Sequence, residues 1–114
     1  MHFKIKTWLY DIHKSIEEIE DFTNNITQYN VFSEDLKTIR AIERNLTIIG
    51  EASNRIRKED QEIARRIGNI KDIIDTRDRI SHSYEFVSKN VLWDIIQNDL
   101  PVLKKEVSTL LEKS

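Results

Sequence analysis

Apolar positions in the first part of the chain recur at Ile5, Trp8, Leu9, Ile12, Ile16 and Ile19, with polar and charged residues between them. Steps of three and four place these side chains in one stripe, which predicts an amphipathic helix over about 4–22. The stretch TNNITQYNVFS, 23–33, drops the pattern, and its Thr and Asn content reads as a connector. Ser33, followed by Glu34 and Asp35, has the form of an N-cap with acids in the first turn. The stripe then resumes at Leu36, Ile39, Ile42, Leu46, Ile49, Ala52 or Ser53, and Ile56, predicting a second long helix that runs to near Lys58.

Gly50 falls inside that helix, where glycine costs about 1 kcal/mol relative to alanine. With Ala52 and Ser53 beside it, the glycine marks a place where a neighbouring helix comes close. Asp60 is positioned to cap a short third helix with Ile63, Ala64 and Ile67, closed by Gly68. A fourth helix starts near Ile70 and carries Ile73, Ile74, Arg77 and Ile80. Ser88 caps the last one, whose apolar side holds Val91, Leu92, Ile95, Ile96, Leu103, Val107, Leu110 and Leu111. Pro101 removes the hydrogen bond to the carbonyl of Gln97, so one bent helix is expected there, not two. The fold class is all-α: an antiparallel up-and-down bundle of four to five helices with a kinked last helix, in a single domain over 1–114.

Composition supports this and narrows the chemistry. Only two glycines and one proline occur in 114 residues, which suits long helices. The absence of cysteine excludes disulfides, thiolate nucleophiles and thiolate metal sites. No stretch reaches the ~18 uncharged residues of a membrane span, and Asp11 interrupts the N-terminal apolar run too early for a signal peptide. A soluble, cytoplasmic protein is expected. The formal net charge of −2 argues against gripping nucleic acid over the whole surface. Locally the balance differs: residues 55–79 hold eight Lys or Arg against six acids.

The segment RDRISHSYEF, 77–86, concentrates reactive groups. At 100° per residue, Arg77 and Tyr84 lie about 20° apart on a helix, whereas His82 lies about 140° from Arg77. One continuous helix therefore does not bring arginine and histidine together. Either the helix ends near Ser81 and the chain bends His82 back, or a second copy supplies the partner across a two-fold axis. These groups suit metal-free RNA cleavage. Histidine removes the proton of a ribose 2′-hydroxyl and returns one to the departing 5′-oxygen, while the planar guanidinium holds phosphate oxygens and their growing charge.

The motif Arg77, four residues, His82, Ser83, Tyr84 resembles the signature of the HepT-like toxins of the HEPN superfamily. AIERNLTIIGEASNRI, 41–56, is similar to that family's second long helix, and VLWDIIQNDLPVLKKEV, 91–107, to its final helix. The resemblance implies a homodimeric, metal-independent endoribonuclease without cofactor, with RNA as substrate, no DNA substrate, and catalytic Arg77 and His82 at the dimer cleft. Asp78, Arg79 and Ser81 are expected to support that cleft. The resemblance also implies a minimal nucleotidyltransferase antitoxin as partner, which transfers AMP to Tyr84. Two departures stand out: Asp78 occupies a position commonly Asn in the family, and Asn69–Ile70 replace a frequent Pro–Trp pair. The alternative is a non-catalytic interaction module of the same fold that binds or restrains the nucleotidyltransferase.

Other candidates weigh less. His2 and His13 form no metal-ligand spacing and are expected at the surface. Trp8 and Trp93 lie on apolar stripes and are expected to pack in the core.

Overall fold

The computed structural model describes residues 1–82 and 87–113, with His82 described by its backbone alone. Helix α1 spans Phe3–Thr23, α2 Tyr29–Glu34, α3 Leu36–Glu59, α4 Gln61–Arg65, α5 Ile70–His82, α6 Lys89–Asp94 and α7 Leu100–Glu112, with a π-helical turn at Ile95–Asp99 joining the last two. The expectation of an all-α bundle holds. Helix α1 packs along α3 and α7, and α5 lies along the other side of α3. The core is the sequence stripe itself: Ile5, Leu9, Ile12, Ile16 and Ile19 of α1 are fully buried, as are Ile42, Ile49 and Ile56 of α3 and Val107 of α7. Burial of a side chain of this size contributes roughly 1.5–3 kcal/mol, which makes the stripes the main source of stability.

Local chemistry explains most helix ends. The Nδ1 of His2 accepts the Lys4 amide at 3.1 Å and caps α1. Asp60 caps α4 by accepting the Ile63 amide at 3.1 Å, and Ser88 caps α6 by accepting the Val91 amide at 3.2 Å. Both were expected from the sequence. The cap of α3, however, is Asp35 and not Ser33: its carboxylate accepts the Thr38 amide at 3.1 Å and the Thr38 hydroxyl at 2.7 Å. Those bonds hold the Asp35 carboxyl below its usual range.

Ser33 is displaced because the expected connector contains α2. Phe32 of α2 is fully buried, with its ring centroid 5.0 Å from that of Trp93 and 6.4 Å from that of Tyr29. The aromatic cluster outweighs the turn-forming composition around it. The Lys89 ammonium donates to the Ser33 carbonyl at 2.8 Å, closing α2 onto the start of α6. Helix α4 is also shorter than expected. It is capped at Arg66, not at Gly68; the Gly68 amide donates instead to the Glu106 carboxylate on α7 at 3.0 Å.

At Pro101 the helical path continues, and the irregularity lies just before the proline. The Leu100 amide reaches the Ile95 carbonyl, five residues back. Widening the turn relieves the clash between the proline ring and the preceding turn, so the helix absorbs Pro101 through a π-turn rather than through a broken bond alone. Lys104, just beyond, donates to Glu20 at 2.7 Å and ties α7 to α1.

The π-turn sets Asp99 into a cleft between α3 and α5, with Asn69, Asp72 and Thr76 on the facing wall. Burial, and then the nearby Asp94 and Asp72 carboxylates, push the Asp99 carboxyl above its ordinary value of 3.8. An acid with a raised folded-state pKa costs stability as pH climbs from the unfolded value through the folded one, and costs nothing below both. Asp99→Asn is therefore expected to raise Tm at roughly pH 7, with the gain vanishing at pH values below 3.8. Thermal denaturation across that pH range checks the sign.

Candidate functional site

Arg77 sits in the middle of α5, on the side that faces α3. A side chain built at Gly50 of α3 would run into the Cβ of Arg77, would lie 2.7 Å from its Cγ, and would lie 3.3 Å from the Ile73 carbonyl oxygen. Glycine at this position is what lets the stem of Arg77 lie against the α3 backbone. The close approach expected from the sequence is thus found, and its partner is the motif arginine.

Packing of the stem fixes the head group. The Arg77 side chain keeps 19% of its surface exposed. Its Nε is buried and makes no hydrogen bond among the described residues. The Asp78 Oδ1 is 2.9 Å away, an ion-pair contact that lies out of line with the N–H. Asp78, whose side chain is about half exposed, thus places a carboxylate directly against the guanidinium.

The other residues singled out in the sequence distribute around α5. Ser81 is exposed and follows Arg77 by one turn, about 40° round the axis. Arg79 is exposed and lies about 200° from Arg77, on the opposite flank. The helix runs through His82, its last residue, so the backbone does not bend back at Ser81. The His82 position therefore remains about 140° from Arg77. Within one chain the helix does not bring the two positions to one side. Tyr84 lies outside the described residues.

Other sequence candidates resolve as packing. Trp93 meets the Tyr29 ring edge-on at 6.2 Å, and Trp8 is half-buried against the core. His2 is exposed in its capping role, and the Nδ1 of His13 pairs with Glu17 at 3.2 Å. Among the described residues, no three His, Asp or Glu side chains are placed to share a metal ion. One feature escaped the sequence reading: a surface groove lined by Arg57, Gln61, Ala64, Arg65 and Ile70, at the junction of α3, α4 and α5. Its residues are scattered over fourteen positions, and only the local basic excess hinted at it.

A protein-family model described as "Ribonuclease HepT-like" matches residues 12–110, from the first helix to the last. The chain belongs to the HepT-like ribonuclease family. A HepT-like relative in Thermococcus cleftensis, named as a candidate ribonuclease HepT, is 37% identical over 105 residues, covering 92% of this chain and 94% of its own. Two proteins of Methanocaldococcus jannaschii, each named as a candidate RNase, are 35% and 30% identical; the alignments cover 90% and 95% of this chain and 93% and 88% of theirs. No solved structure matches the chain.

The Gly50 contact gives a direct test. Alanine would gain about 1 kcal/mol of helix propensity, but overpacking costs about 1–3 kcal/mol, at the upper end where the obstruction is a stem rather than a flexible tip. Gly50→Ala is expected to lose about 2 kcal/mol net, lowering Tm by roughly 10 °C. Denaturant unfolding measures the loss. A variant as stable as the parent would show that α5 is free to move away from α3.

Proposed function

We propose that this HepT-like protein is a toxin endoribonuclease, working without a metal at a cleft formed by two copies of the chain and silenced by AMP transfer to Tyr84. The observation that carries the reading is the seating of Arg77. A motif arginine whose stem is clamped against Gly50 has lost most of its rotamer freedom before substrate arrives, so its terminal nitrogens are prepared for a phosphate. Family membership across the motif, and the names of the relatives as RNases, support the substrate class.

In this reading His82 of one copy works beside Arg77 of the other. The helix continues through His82, which favours a two-chain site over a one-chain site. Imidazole takes the proton from a ribose 2′-hydroxyl, and the oxygen attacks the adjacent phosphorus. As the new P–O bond forms, the bond to the 5′-oxygen breaks and that oxygen takes a proton. The products are a cyclic phosphate and a free 5′-hydroxyl. Arg77 stabilises the extra charge of the five-coordinate phosphorus. AMP on Tyr84, added by a minimal nucleotidyltransferase antitoxin in the cytoplasm, would set a phosphate beside the same guanidinium and repel the RNA backbone. Among the described residues, no helix is long and apolar enough to cross a membrane.

Asp78 supports a second reading. Its carboxylate already occupies the neighbourhood of the Arg77 guanidinium at 2.9 Å, as a substrate phosphate would. In a non-catalytic module the pair would hold the helix for a nucleotidyltransferase to bind.

Cleavage of single-stranded RNA with chelator present separates the two. The enzyme reading expects loss of activity on the order of 10²–10³-fold for Arg77→Ala and 10²–10⁴-fold for His82→Ala; because Arg77→Ala also removes stem atoms packed against Gly50, each variant is assayed well below its own Tm. Asp78→Asn is expected to raise cleavage several-fold by freeing the guanidinium. A wild-type chain that leaves RNA intact, with Asp78→Asn equally inert, would sink the enzyme reading. Mass measurement after co-expression with the nucleotidyltransferase is expected to show AMP on the wild type and none on Tyr84→Phe.

A further inference from the structure

We infer that the groove walled by Arg57 and Arg65 is a second phosphate-binding position on the RNA strand, separate from the one held by Arg77. The inference rests on the ribonuclease reading and names a further contact of its substrate. The polar residues lining the groove are Arg57, Arg65 and Gln61, with no Asp or Glu among the described residues that line it. Arg57 donates to a neutral acceptor, the Asn54 side-chain oxygen at 3.0 Å, and so keeps its charge uncompensated. Among the described residues, neither Arg57 nor Arg65 has a carboxylate within ion-pairing distance. Three of the other arginines do: Glu43 lies 2.7 Å from Arg40, Glu62 4.0 Å from Arg66 and Asp78 2.9 Å from Arg77.

The register of α3 and α5 connects the groove to Arg77. Gly50 of α3 opposes Arg77 of α5, and seven residues further along α3, Arg57 shares the groove with Ile70, seven residues earlier on α5. Seven residues advance a helix about 10 Å and return to within about 20° of the same face. Both positions therefore lie on one seam between antiparallel helices, within reach of neighbouring phosphates of one extended strand. Planar guanidinium forks suit phosphate oxygens, and Ala64 and Ile70 give the groove an apolar floor against which a ribose can rest.

The test uses the full chain carrying His82→Ala, so that RNA stays intact, and a single-stranded oligoribonucleotide followed by fluorescence anisotropy over a range of salt concentrations. Each phosphate contact contributes about 0.7 to the slope of log affinity against log salt for single strands. Arg57→Ala and Arg65→Ala are each expected to weaken binding several-fold and flatten the slope by about that amount, while Arg57→Lys restores the slope. Lys14→Ala on α1, which removes the same charge elsewhere, should leave it unchanged. If both arginine variants keep the parental affinity and slope while Arg77→Ala weakens binding, the groove is no phosphate site and the ribonuclease reading stands. If the parental chain binds no RNA at any salt concentration, both ideas fall.

Discussion

A missing methyl group sets the distance between α3 and α5. With glycine at position 50, the α3 backbone admits the stem of Arg77 against it, and the Ile73 carbonyl oxygen lies 3.3 Å from where a Cβ would stand. That contact fixes the antiparallel register of the two helices. The register in turn decides which residues of α5 face the core, which edge the motif occupies, and where Arg57 meets Ile70 at the far end of the seam. The glycine weakens α3 as an isolated helix, and the packing it permits repays that weakness. A penalty in local propensity offset by tertiary packing is where local and global preferences are expected to disagree.

The long helices were legible in the sequence because their apolar stripes run for four turns or more, and the observed core follows those stripes. Asp60 and Ser88 were legible as caps for a different reason: a short polar side chain immediately before a periodic segment has few other roles. Helix α2 was not legible. Its six residues are too few to display a period, and its stability comes from Phe32 meeting Trp93, a partner about sixty positions away. The π-turn was hidden similarly, since proline announces a disturbance but not the wide turn that accommodates it. At the site, the sequence could single out Arg77 and could say that Gly50 needed a close neighbour. Only the fold shows that these two observations describe one contact.

Asp78 gives the family scheme an individual character. A carboxylate adjacent in sequence to the motif arginine lies 2.9 Å from its Nε and sets negative charge against the guanidinium. It also restrains the guanidinium, so the residue acts in two senses: it orients the arginine and partly neutralises it. Arg57 and Arg65, which line the groove at the far end of the seam, add positive charge there that no carboxylate among the described residues pairs with.

Helix α5 has its principal packing with α3 alone, whereas α3 is held from both sides by α1 and α5. An outermost helix of thirteen residues clasped along one face is the natural unit of local opening, detaching at lower free energy than global unfolding. Its amides should exchange with solvent sooner than those of α3. Anything that grips its outer face, whether protein or nucleic acid, draws part of its affinity from suppressing that breathing.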